Sequence, residues 1–140
     1  MSWLWLLACS GADTAQPDSQ TWWEDTGPEP EDTAPPEATF DNVQRLLLDE
    51  KCVGCHWGDP GSAYGDLALD VGAWSTLTQG FSTWGEPYVV AGDPAASVVF
   101  QKITDAQERG EGGVMPPYGS LEQAQVDLLE GWILAGAPSR

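Results

Sequence analysis

The sequence predicts a small domain of short helices, and three observations carry that expectation. One apolar stripe lies near the C-terminus, a second precedes the first of two closely spaced cysteines, and glycine-rich loops fill the space between. The first helix runs from about Asp41 to Lys51. Asp41 stands as N-cap with Gln44 three residues on, and Val43, Leu46 and Leu47 share one face at helical spacing. A short helix is expected over Asp70 to Gln79, using Val71, Trp74 and Leu77 and closed by Gly80. Tyr88-Val89-Val90 reads as extended. Asp93-Pro94 is a helix start, with Asp as N-cap and Pro in the first helical position, and this helix continues through Val98, Val99 and Lys102 to about Ile103. Residues 104–119 form a long loop with Gly110, Gly112, Gly113, Pro116, Pro117 and Gly119. A loop of that length in a compact domain usually has a functional reason. The last helix opens with Ser120-Leu121-Glu122-Gln123 as a capping box. It buries Leu121, Leu128, Leu129, Trp132 and Ile133, and stops at Gly136 and Pro138.

Charge and composition set limits on partners. The 140 residues carry 22 acidic and 5 basic side chains, a formal net charge of -17. Phosphate binding needs clustered Lys and Arg, so nucleic acid is excluded, and the same balance argues against docking to anionic lipid by charge. Residues 10–38 hold Asp13, Asp18, Glu24, Asp25, Glu29, Glu31, Asp32 and Glu37 with no basic residue, and five prolines. Such a segment cannot bury enough apolar surface to offset its ordering entropy, so 9–38 is expected to be a disordered acidic tether. Within it, Trp22-Trp23 is the one aromatic pair. The folded domain is then 39–140. No segment approaches the roughly 18–20 apolar residues of a membrane span. Residues 3–8 are apolar, however, and Leu6-Leu7-Ala8-Cys9 resembles the lipobox of bacterial lipoproteins. That resemblance makes 1–8 a signal segment and Cys9 a lipidation site, with Ser10 resembling the choice of outer-membrane-directed lipoproteins.

Cys52-Val53-Gly54-Cys55-His56 is a C-x-x-C-H sequence, which reads as c-type haem attachment. Two thiols three positions apart can each add to a haem vinyl group, and the next residue places its imidazole under the iron. His56 is the only histidine in the chain. Other readings of C-x-x-C fit less well. A structural zinc site needs four Cys or His ligands, and only distant Cys9 remains to complete one. A thioredoxin-like pair needs a βαβ context, and an iron–sulfur cluster usually needs four cysteines. A plain disulfide is the remaining alternative. Met115 lies within Gly112-Gly113-Val114-Met115-Pro116-Pro117, an irregular loop suited to holding a thioether in place as sixth ligand. The competing reading is an ordinary gap-filling methionine.

Three stretches in order now resemble the class I cytochrome c family, in its small monohaem bacterial form, over about 39–140. They are Phe40 to Trp57 with its C-x-x-C-H, Val90-Ala91-Gly92-Asp93-Pro94-Ala95-Ala96-Ser97, and Met115-Pro116-Pro117 followed by Trp132-Ile133-Leu134-Ala135-Gly136-Ala137-Pro138. The resemblance implies an all-α, cytochrome c-like fold of about four short helices packed around one haem, with N- and C-terminal helices crossing. Gly131, which costs about 1 kcal/mol in a helix relative to Ala, would mark a close crossing. A backbone carbonyl is expected to orient His56, with Asp59-Pro60-Gly61, Leu67 and Leu69 nearby.

The function expected from these residues is extracytoplasmic electron transfer by a monomeric carrier, with one covalent haem c per chain. His56 and Met115 would be the iron ligands, and Cys52 and Cys55 the attachment points. Trp57, Tyr64, Trp74, Trp84 and Phe100 are candidate walls of the pocket, with ordinary core aromatics as the competing reading. Partners would be redox proteins with a basic docking face, and the membrane would be met only through the N-terminal lipid anchor. Haem attachment to C-x-x-C-H takes place outside the cytoplasm in bacteria, which points to the periplasm or cell envelope with an outer-membrane lipid anchor. The rivals are a peroxidase-like enzyme or gas sensor with an open sixth site, and a redox-inert haem-containing interaction module.

Overall fold

The computed structural model divides the chain into residues 1–33 and 34–140. It describes residues 34–59, 61, 63–106 and 112–140. Cys9, Ser10 and Trp22-Trp23 lie outside the described residues. Those residues form four helices with no strand among them, an all-α arrangement. Helix α1, Phe40–Val43, runs directly into a π-helical segment, Gln44–Cys52. Helices α2 (Ala73–Gln79), α3 (Val98–Thr104) and α4 (Gln123–Leu134) follow, with one 3₁₀ turn at Tyr64–Asp66. None is long and apolar enough to cross a membrane.

Helix α1 starts earlier than its sequence suggests. The N-cap is Thr39, whose hydroxyl accepts from the Asn42 N–H at 3.4 Å. Asp41 sits inside the first turn, where an acid suits the helix dipole. Gln44 does not close a capping box, because its amide donates instead to Asp49 at 2.6 Å and to the Leu69 carbonyl at 3.1 Å. The π winding also moves the buried stripe. Hydrogen bonds now close over five residues, as from the Val53 N–H to the Leu48 carbonyl at 2.8 Å. The residues stacked below Val43 are therefore Leu47 and Leu48, both fully buried, while Leu46 is only half-buried.

Helix α4 lies at the centre of the core. Leu128, Leu129, Trp132 and Ile133 are buried with Val43, Leu47 and Leu48 of the first helix. The Trp132 and Phe40 rings meet at 5.4 Å. The N-cap is Glu122, two residues later than Ser120, and Gln125 completes the capping box. Gln125 also donates to the Leu46 carbonyl at 2.7 Å, pinning the two helices across 79 residues of sequence. Gly131 sits at the crossing, because a methyl built there would lie 3.0 Å from the Ala38 Cβ. Gly131→Val is expected to cost about 1–3 kcal/mol of unfolding free energy by overpacking, with part recovered by Ala38→Gly, read from denaturant unfolding. After α4 the chain turns at Gly136, whose φ of +93° lies in the left-handed region. The Trp132 indole N–H donates to the Pro138 carbonyl at 2.8 Å and that of Trp74 to the Ala137 carbonyl at 3.0 Å, holding the tail on the core.

Two other expectations change. Helix α2 begins at Ala73 after Gly72 in the left-handed region, leaving Val71 exposed. Helix α3 begins at Val98, not at Asp93-Pro94, since Asp93 caps only a tight turn by accepting from the Ala96 N–H at 3.1 Å. The residue that organises this region is Ser97, which is fully buried. Its hydroxyl donates to the Asp93 carbonyl at 2.7 Å and accepts from the Val90 N–H at 2.8 Å. Beside it, the Gly92 N–H donates to the Ile133 carbonyl at 2.7 Å, tying the turn to α4. Ser97→Ala is expected to cost about 1–3 kcal/mol, because a buried N–H loses its partner, and thermal unfolding measures it.

Candidate functional site

The Cys52–His56 segment forms a compact turn at the end of the π-helical segment. The Cys55 and His56 N–H groups both donate to the Cys52 carbonyl, at 3.1 and 2.9 Å. This brings Cys52, Cys55 and His56 together on one turn. Both cysteines are free thiols. Cys52 is half-buried and Cys55 is exposed. Burial pushes the Cys52 thiol up to about 11, favouring its neutral form.

His56 is half-buried and held from two sides. Its backbone carbonyl accepts from the Leu69 N–H at 2.8 Å, and its ring Nδ1 lies 3.2 Å from the Leu67 carbonyl. A carbonyl oxygen can only accept, so this bond requires the hydrogen on Nδ1 and leaves the Nε2 lone pair available for a metal. Leu67 therefore supplies the orienting carbonyl. Sequence alone offers several equivalent carbonyls and no means of choosing. A second clamp is not visible in the sequence. The Gly58 N–H donates to the Asp70 carboxylate at 3.1 Å. That bond, with a further one from the Val71 N–H, holds the Asp70 carboxyl below the usual carboxylate range. Together these bonds dock the segment after His56 onto residues 67–71.

Met115 is placed separately, on the loop after α3. It is half-buried, and its N–H donates to the Lys102 carbonyl at 2.8 Å. Of the aromatic residues expected at the pocket, Trp57, Tyr64 and Trp84 are exposed by 63%, 75% and 51%. Trp74 and Phe100 are half-buried and pack against the core. A shallow cleft lined by Trp74, Thr78, Val89 and Ala137, among others, contains none of the candidate ligands.

The donor set and its surroundings fit a c-type haem. Two thiols share one turn, and the adjacent imidazole has its free nitrogen defined by Leu67. Large apolar side chains remain open to solvent on both sides of the candidate ligands in sequence: Trp57 and Tyr64 after His56, Val114 and Tyr118 around Met115.

Residues 52–119 match the family described as Planctomycete cytochrome C. No curated protein and no solved structure matches the chain. The matched segment runs from Cys52 to just beyond Met115, and it supports haem c-based electron transfer as the general chemistry. Over that segment the chain is similar to the c-type cytochromes, and its cofactor is a covalently bound haem c.

Proposed function

We propose that this chain is an extracytoplasmic single-electron carrier in which His56 and Met115 would ligate the haem iron. The observation that carries this reading is the bond of His56 to Leu67, since a proton on Nδ1 leaves Nε2 as the nitrogen free to ligate iron. Cys52 and Cys55 would hold the group by thioether links. When bound, the haem supplies a one-electron ferrous/ferric couple. The protein's share is to keep both ligand-bearing segments in place through the exchange, so little reorganisation accompanies it. Leu67 and Leu69 do this for His56, and the Lys102 carbonyl does it for the Met115 backbone. His/Met ligation raises the potential relative to arrangements with two imidazoles.

The chain acts as a monomer on this reading and exchanges electrons with redox proteins that present a basic face. The net charge of -17 supports that choice and makes the encounter weaken with salt. Leu6-Leu7-Ala8-Cys9 supports lipidation at Cys9 and anchoring in the cell envelope, at the outer membrane. The acidic, proline-rich 9–38 segment would then tether the haem domain to its anchor.

The test is an absorption spectrum of the reduced protein, matured with haem and exported, taken with and without carbon monoxide. Haem that survives denaturation, with a low-spin spectrum unmoved by carbon monoxide, is the expected result. A spectrum that shifts with carbon monoxide would replace this reading with an open-site enzyme or sensor.

A further inference from the structure

Lys102 occupies an unusual place. It is the only basic residue among the described residues of 52–119, a segment that also holds Asp59, Asp66, Asp70, Glu86, Asp93 and Asp105. It lies in the last turn of α3, and its backbone carbonyl receives the Met115 N–H at 2.8 Å. Its ammonium does not simply extend into water. It lies over the Trp84 ring, 5.8 Å from the centroid. A methyl built on Gly112 would lie 3.8 Å from the same nitrogen. One residue thus bonds to the Met115 backbone and brings its ammonium near both the Trp84 ring and the Gly112 end of the same loop.

We propose that Lys102 is a positioning residue for the sixth-ligand loop: its carbonyl seats the Met115 backbone, and its ammonium, laid over Trp84, ties that loop to residues 81–87. This rests on Met115 being the sixth ligand. A cation over the face of a tryptophan is attracted by the ring quadrupole, and the attraction grows as water is excluded. Lys102 is half-buried and Trp84 is 51% exposed, so water is excluded from this contact only in part. The contact holds the loop in its ligand-presenting form. An added ligand that competes with Met115 binds only when the loop yields, so its apparent affinity reports the loop equilibrium.

The experiment is a titration of the oxidised, haem-loaded full chain with imidazole, followed by absorbance. Lys102→Met is expected to tighten imidazole binding roughly two- to fivefold, the change that loss of a partly exposed cation–π contact allows. Lys102→Arg keeps a cation that stacks on tryptophan and should stay at the wild-type affinity. Trp84→Leu should also tighten binding, and adding Lys102→Met to it should change nothing further. If Trp84→Leu fails to accumulate, the two lysine variants decide alone. Unchanged affinity in Lys102→Met, or full additivity in the double variant, overturns the proposal. A purely structural role would lower the unfolding temperature and leave the imidazole affinity where it was. Met115→Ala separates the two levels. If it changes the spectrum while Lys102→Met does not move the titration, only the role of Lys102 falls. If it leaves the wild-type spectrum intact, the Met115 ligation and the role of Lys102 fall together.

Discussion

Met115→Ala is expected to turn a protein whose reduced spectrum ignores carbon monoxide into one that binds it, and to lower the reduction potential by an amount on the order of tenths of a volt. Axial ligands move haem potentials across about 0.8 V, and the methionine thioether belongs to the high-potential end. Alanine cannot ligate, and no other histidine exists in the chain to take its place. The loop should otherwise persist, because the Met115 N–H donates to Lys102 from the backbone, which the substitution leaves unchanged. Fold and ligation are therefore separable in this variant. Thermal unfolding should remain close to wild type while the potential and the carbon monoxide response both change. A Met115→Ala protein with the wild-type potential would remove Met115 from the ligand set and leave the sixth position to another group.

The largest effect on stability is expected from Trp132→Ala, at about 3–5 kcal/mol. Trp132 is fully buried at the meeting of α1 and α4, against Phe40, and its indole N–H holds the Pro138 carbonyl. Truncation removes the apolar area, leaves a cavity between the helices and frees the tail that caps them. Single domains are stable by about 5–15 kcal/mol, so the loss is a large share of the total. In a domain of this size it should lower the unfolding midpoint by more than about 10 °C. Leu134→Ala on the same helix is the control. Leu134 is 58% exposed, and its loss should cost no more than about 0.5 kcal/mol. Equal effects from the two substitutions would contradict the placement of the core.

The attachment turn and the last helix are legible in the sequence because both are local. Cys52, Cys55 and His56 lie within five residues, and the turn that gathers them is closed by bonds to the Cys52 carbonyl. The α4 stripe follows ordinary 3.6-residue periodicity, so spacing alone places Leu128, Leu129, Trp132 and Ile133 on the buried face. The same rule sets the stripe of the first helix one position off, because periodicity assumes α geometry and the segment winds as a π-helix. Asp93-Pro94 misleads for a related reason. Asp caps turns and helices by the same hydrogen bond, and only the buried hydroxyl of Ser97 shows where the helix starts.

By itself the sequence determined the C-x-x-C-H motif, the helical character and the acidic balance, each from residue type and spacing along the chain, while the meeting of the first and last helices followed from the resemblance to cytochromes c. Tertiary structure alone decided which carbonyl orients His56, that Asp70 clamps Gly58, that Gln125 reaches Leu46, and that Lys102 lies between Trp84 and the methionine loop. These are contacts between distant groups, and every residue carries a carbonyl that could serve. Which one is used depends on how the core packs around Trp132, and local spacing holds no record of that.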